Sequence, residues 1–179
     1  MAELSRPALV VIDLQERLAE VMDCREQLIR NCSILIKAFR ILDLPIICCR
    51  QYPQGLGDYV PAVRELLSDI DPVDKSDFSC CRESEFHQKI NEAGVSRLIL
   101  CGIEAHVCVY QTAVQLTAKG FHIEIASDAV SSRTPQNRKI GLERIKAEGG
   151  IMTSTEMFIF EQLKTAEHPK FKEISRLVK

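Results

Sequence analysis

The stretch RLILCGIEAHVCVYQTAVQLTAKG, residues 97–120, passes from strand to turn to helix. Arg97 to Cys101 is a short apolar run of the kind that lies buried on both faces of a sheet, and Gly102 ends it. A helix is expected to begin near Ala105 or His106. Val109, Ala113, Leu116 and Thr117 recur at helical spacing, and Lys119-Gly120 supplies a stop signal. Cys108 then falls in the first helical turn. Unpaired N–H groups and the positive end of the helix dipole favour a thiolate there and offer donors to an oxyanion. That placement fits a nucleophile, and position alone fits a buried structural thiol equally well.

Outward from this stretch the same alternation continues. Strand-like apolar runs lie at Ala8–Ile12, Pro45–Cys49, Phe121–Ala126 and Gly150–Thr153. Between them, residues 25–43 put Leu28, Cys32, Leu35, Ile36, Phe39 and Leu42 on one helical face. Residues 83–93 and 136–148 do the same with Phe86 and Ile90, and with Ile140, Leu142 and Ile145. Strand and helix in alternation predict an α/β fold, a largely parallel sheet covered on both sides with right-handed connections. Ligands in such sheets collect beyond the carboxyl ends of the strands, near a reversal of strand order. Gln51 to Asp58, rich in Gly and Pro, is expected as a long loop at that edge.

The 179 residues suit one domain, residues 1–179, and 46% hydrophobic against 27% charged residues excludes a disordered chain. A net charge of −2 with no basic stripe argues against nucleic acid and membrane surfaces as partners and for a small-molecule substrate. The amino-terminal residues 1–7 lack a leader pattern, and no uncharged run is long enough to span a bilayer. The eight cysteines then point to reduced thiols and a cytoplasmic setting. The adjacent pairs Cys48-Cys49 and Cys80-Cys81 alternate sides of an extended segment and lack the spacing of a zinc knuckle or a thioredoxin motif, so no metal is expected. Asp13-Leu14-Gln15 follows the first strand where a glycine-rich phosphate loop would stand, so no nucleotide cofactor is expected either.

Two further residues reach the edge that carries Cys108. Asp13 leaves the first strand directly, and Lys75 lies in or just after a short strand in DPVDKSDF, residues 71–78. A carboxylate beside a thiol can accept its proton, and an ammonium nearby offsets the rise in thiol pKa that the carboxylate alone would cause. Singly, Asp13 also fits a turn cap and Lys75 a solvated loop residue.

Together these blocks resemble the isochorismatase-like cysteine hydrolases, a family that includes nicotinamidases and N-carbamoylsarcosine amidases, over nearly the whole chain. Val10 to Gln15 resembles the opening strand with its aspartate, and Lys75 with Phe78 and Ser79 the lysine segment. Gly102 to Val109 resembles the nucleophile turn, and Ser127 to Ser132 the segment after the fifth strand. The resemblance implies a Rossmann-like three-layer doubly wound sandwich with a six-stranded, mainly parallel sheet. It implies Asp13, Lys75 and Cys108 as a triad, a cis peptide joining Ile103 and Glu104, and an oxyanion hole from the backbone N–H groups of Glu104 and Cys108. Leu14, Leu18, Tyr52, Phe78, His106 and Tyr110 are candidates to line the pocket. His87, His122 and His168 are expected to be structural.

The chain departs from the nicotinamidase pattern in two places. The segment Arg50 to Gly57 has no histidine for the family's metal site, and Glu104-Ala105-His106 replaces the usual small residue or threonine. Both features resemble the isochorismatase-domain-containing branch. The leading expectation is a metal-free hydrolase that cleaves a C–N bond of a small amide or ureido compound through a thioester. A non-covalent hydrolase using Asp13 as an acid and a catalytically weak scaffold of the same fold are the alternatives. A homo-oligomer is expected, with Ile159 to Val178 offering apolar contacts.

Overall fold

In the computed structural model, which describes residues 6–179, β1 (Pro7–Ile12) lies at the centre of one sheet. It pairs on one side with β2 (Ile46–Gln51), beyond which lies β3 (Val73–Lys75). On its other side come β4 (Arg97–Ile103), β5 (His122–Ser131) and β6 (Ile151–Thr153). The six strands are parallel throughout, in the order β3-β2-β1-β4-β5-β6. This is the α/β fold expected from the alternating pattern. Of the residues 1–7 read above for a leader, Met1–Ser5 lie outside the described part.

Helices cover both faces: α1 (Glu16–Ala19), α2 (Arg25–Ile41), α3 (Pro53–Leu56), α4 (Pro61–Leu66), α5 (Ser84–Ala93), α6 (Cys108–Ala118), α7 (Pro135–Ala147), α8 (Thr155–Leu163) and α9 (Phe171–Ser175). Alternate side chains of β1 feed two separate cores, which is why the strand reads as a continuous apolar run. Leu9 and Val11 join Leu28, Leu35, Phe39 and Phe158 on the α2/α8 side. Ala8, Val10 and Ile12 join Phe86, Ile90, Val109 and Leu116 on the α5/α6 side.

Several boundaries differ from the sequence expectation, each for a visible reason. α6 starts at Cys108 rather than at residue 105 or 106, because the carbonyl of Glu104 accepts from the N–H groups of Val107 and Val109 and closes a turn there. β5 runs through Ser131, so the Ser127–Ser132 block lies mostly inside the strand; pairing with β4 resumes after a bulge, Gly102 opposite Val130 and Ile103 opposite Ser131. The loop after β2 contains α3, with Pro53 in its first turn. On α7 the buried side is Gly141 and Ile145, and Ile140 is exposed. A Cβ at Gly141 would stand 2.7 Å from the Ala105 carbonyl oxygen, so the glycine lets α7 rest on the turn before Cys108.

Cys48 and Cys49 do face opposite cores, whereas Cys80 and Cys81 sit in a 3-10 turn (Cys80–Arg82) and both enter the α5/α6 core. All eight cysteines are free thiols. The apolar residues of the C-terminal segment are committed inside the chain: Ile159, Leu163 and Ile174 are buried, and Phe160, Phe171, Leu177 and Val178 pack on the same core.

Candidate active site

The sheet order reverses at β1, whose neighbours β2 and β4 lead away in opposite directions, and in such sheets the carboxyl ends of the strands at the reversal are where ligands collect. Asp13 is the first residue past β1. It adopts φ 52°, a left-handed conformation that Asp tolerates better than most residues, and the chain turns there. Lys75 ends β3 and Cys108 opens α6, so three remote segments deliver their side chains to one place.

Asp13 and Lys75 form an ion pair sealed from water: Lys75 Nζ donates to Asp13 Oδ2 at 2.7 Å, and both side chains are 0% exposed. The Cys108 thiol and the same carboxylate act on each other's proton affinity. Oδ1 of Asp13 has no partner aligned for a hydrogen bond among the described residues. The peptide between Ile103 and Glu104 is cis. Beside it, the backbone N–H groups of Glu104 and Cys108 donate to no carbonyl among the described residues, while that of Ala105 is bound to the Ser131 carbonyl at 2.8 Å.

Proton affinities follow from burial. Desolvation raises the Asp13 carboxyl above its ordinary 3.8, with the Lys75 charge pulling the other way. For Lys75, burial opposes the charged form, but Asp13 and the neighbouring thiols outweigh it and the ammonium is held more tightly than usual. Burial, then the Asp13 charge, pushes the Cys108 thiol well above its ordinary range, and Lys75 offsets this only in part. This corrects the expectation of a thiolate stabilised by the helix terminus. A helix dipole contributes about 0.3–1 kcal/mol at exposed sites, whereas full burial can move a pKa by roughly 3–5 units, so burial wins. The resting site is a thiol beside a carboxylate–ammonium pair.

The remaining candidates scatter. Tyr52 is exposed and lines, with Pro53, Gln54, Asp74, Lys75, Ser76 and Glu83, a cavity of about 190 Å³ at the β2/β3 edge. Phe78 is exposed close by in sequence to Lys75, and its carbonyl accepts from Lys75 Nζ at 3.2 Å. His106 is half-buried with Nδ1 2.9 Å from Ser132 Oγ and 4.0 Å from Glu104 Oε2. Glu104 in turn accepts from Arg133 Nε at 3.1 Å. Leu14 is wholly buried in the α2-side core, and Leu18 packs against it partly buried. Tyr110 packs towards α7, its ring 4.5 Å from the Arg144 guanidinium. His87, His122 and His168 bond to Cys81, Glu124 and Lys170 respectively, as structural residues do.

Two residues that sequence reasoning passed over complete the site. Gln51, the last residue of β2, accepts from Lys75 Nζ at 2.6 Å, and Gln15 grips the Gln51 backbone on both sides. Neither carries charge or periodicity. The one available signal was position, since each lies at the carboxyl edge where Asp13 and Lys75 lie.

Residues 7–157 match the isochorismatase domain family, and the chain belongs to that family, with the fold of its hydrolases. It is 38% identical over 175 residues to a secreted isochorismatase effector of Phytophthora sojae, covering 96% of this chain and 83% of that one. Isochorismatase domain-containing protein 2 of Danio rerio is 36% identical over 171 residues, 95% of this chain and 85% of that one. Among solved structures, one described as the MAR1 ribonuclease of Caenorhabditis elegans superposes with a TM-score of 0.91 at 38% identity, over 97% of this chain and 89% of that chain.

Proposed function

We propose that the chain is a cysteine hydrolase that cleaves a C–N bond of a small amide or ureido compound without a metal or other cofactor. The observation that carries this reading is the Cys108 thiol at the start of α6, coupled electrostatically to the buried Asp13–Lys75 pair. Asp13 takes the thiol proton as sulfur attacks the carbonyl carbon, and the N–H groups of Glu104 and Cys108 hold the oxyanion. Asp13 then gives its proton to the departing nitrogen as the C–N bond breaks, leaving a thioester. Water enters, Asp13 takes its proton, and the hydroxyl adds to the thioester. The C–S bond breaks, the acid leaves, and Asp13 returns the proton to sulfur. Because the thiol is held protonated at rest, deprotonation and attack are coupled rather than sequential.

The raised proton affinity of Asp13 favours one alternative, in which the protonated carboxyl acts as an acid on a vinyl ether with no covalent step. Phosphodiester cleavage, suggested by the nematode protein's description, finds less support. Lys75 is neutralised by Asp13, Arg133 is paired with Glu104, and the net charge is −2. Free thiols favour a reducing, cytoplasm-like setting, although the Phytophthora relative is secreted. Exposed Tyr52, Phe78 and Ile140 supply apolar surface for a homo-oligomer. The test is amine release from a panel of small amides and ureido compounds, with RNA as a further substrate. Turnover of an amide that Cys108→Ala abolishes supports the reading; undiminished turnover in that variant, or cleavage of RNA alone, refutes it.

Among the described residues no helix is long and apolar enough to cross a membrane.

A further inference from the structure

An ammonium has three N–H donors, and those of Lys75 are fully engaged. They reach Asp13 Oδ2 at 2.7 Å, Gln51 Oε1 at 2.6 Å and the carbonyl of Phe78 at 3.2 Å, with the Asp77 carbonyl at 3.4 Å. Lys75 therefore has no donor left for a substrate. Its effect on the site is through its charge and depends on where it is held.

Gln51 is itself fixed at every polar atom. Its Nε2 donates to the Ser76 carbonyl at 2.7 Å, which closes a loop around Lys75. Its backbone N–H donates to Gln15 Oε1 at 2.7 Å, and its carbonyl accepts from Gln15 Nε2 at 3.0 Å. The same Gln15 Nε2 reaches the Gly57 carbonyl at 2.7 Å, so one buried amide ties the ends of β1 and β2 to the loop that carries Tyr52. Within this network the polar atoms of Gln51 are all paired, and losing one partner leaves a costly unpaired group.

We propose that Gln51, clamped by Gln15, is a positioning residue that keeps the Lys75 ammonium on Asp13. The proposal rests on the reading above only in taking Asp13 and Cys108 as the reacting pair. Without the Gln51 carbonyl the ammonium keeps its charge but loses one of the two side-chain oxygens that centre it. Its pull on the Asp13 and Cys108 protons then weakens.

The experiment is the pH profile of Cys108 alkylation by iodoacetamide, read by peptide mass, in wild type, Gln51→Leu, Gln51→Met and Lys75→Met. Lys75→Met should displace the profile to higher pH. The Gln51 variants should follow in the same direction, slowing alkylation roughly threefold or more at a fixed pH below the midpoint, about half a pH unit of displacement. If the reagent does not reach the thiol, the ultraviolet thiolate absorbance that is missing in Cys108→Ala reads the same titration. A Gln51 variant that melts cooperatively and keeps the wild-type profile, while Lys75→Met does not, overturns the proposal. So does loss of cooperative melting in both Gln51 variants, which would assign Gln51 to the fold alone. Because the readout is titration rather than turnover, a displaced profile without any amide hydrolysis would leave the positioning role standing and refute the amidase reading.

Discussion

Asp13 and Lys75 hold opposite charges where water does not reach, which makes them costly singly and tolerable together. Lys75→Met should cost about 3–5 kcal/mol in urea unfolding at neutral pH, the usual penalty for stranding a buried charge. The loss should shrink as pH falls, because the stranded Asp13 carboxyl then takes a proton. In the intact site, Asp13 must be ionised to accept the thiol proton. Its raised pKa therefore places the acid limb of kcat/KM above the ordinary carboxylate value of 3.8, with activity falling as pH drops through it. The raised thiol adds no limb in the neutral range, since the thiol is the reactant form. A pH–rate profile checks both statements. At this scale Asp13 and Lys75 drew notice as charged residues at strand ends and Cys108 as a thiol at a helix start, each with a plain structural alternative, and it was the family resemblance that grouped them. Gln15 and Gln51 drew none, since a neutral amide reveals its value only once its partners are seen. Thiol ionisation was misjudged because burial is a property of the packed site, while a helix start can be read locally.

Among the elements, the turn between β4 and α6 matters most, and it is shaped from outside. Gly102, at φ 112°, lies so close to β1 that a Cβ would stand 2.0 Å from the Ile12 carbonyl oxygen. Gly141 on α7 meets the Ala105 carbonyl in the same manner from the other side. Gly141→Ala should push α7 and the 104–107 turn apart, costing about 1–3 kcal/mol of stability. It should slow Cys108 acylation by as much as about 100-fold, the known consequence of an ångström-scale misplacement. Stopped-flow acylation alongside thermal melting separates the two effects. The strands and α2 were legible from periodicity. The face of α7 was not, because the pattern of Ile140, Leu142 and Ile145 pointed to an apolar stripe while the close approach of a glycine decided the packing. The extent of β5 was missed too, since Ser127 and Asp128 interrupt its apolar run although pairing with β4 resumes beyond the bulge.

Across the whole molecule, the doubly wound sheet was legible because each apolar strand is followed by an amphipathic helix, and the reversal at β1 then dictates where a site forms. The carboxyl-terminal helices were harder to place. Their apolar residues look alike whether they meet a second copy or their own core, and they meet their own core. Phe158 of α8 stacks on Phe39 of α2 with ring centroids 5.4 Å apart and lies beneath the Arg97 guanidinium. Phe158→Ala should therefore destabilise the protein by about 3–5 kcal/mol in chemical denaturation, with the Cys108 titration unchanged.

The proposed reaction turns on a covalent bond to one sulfur. Intact-protein mass spectrometry of wild type quenched during turnover of an amide substrate, followed by peptide mapping, tests it most directly. The predicted result is a transient acyl mass on Cys108 alone, formed and lost at rates that match turnover and absent from Cys108→Ala. Steady turnover with no adduct in wild type, and activity surviving in Cys108→Ala, would contradict it.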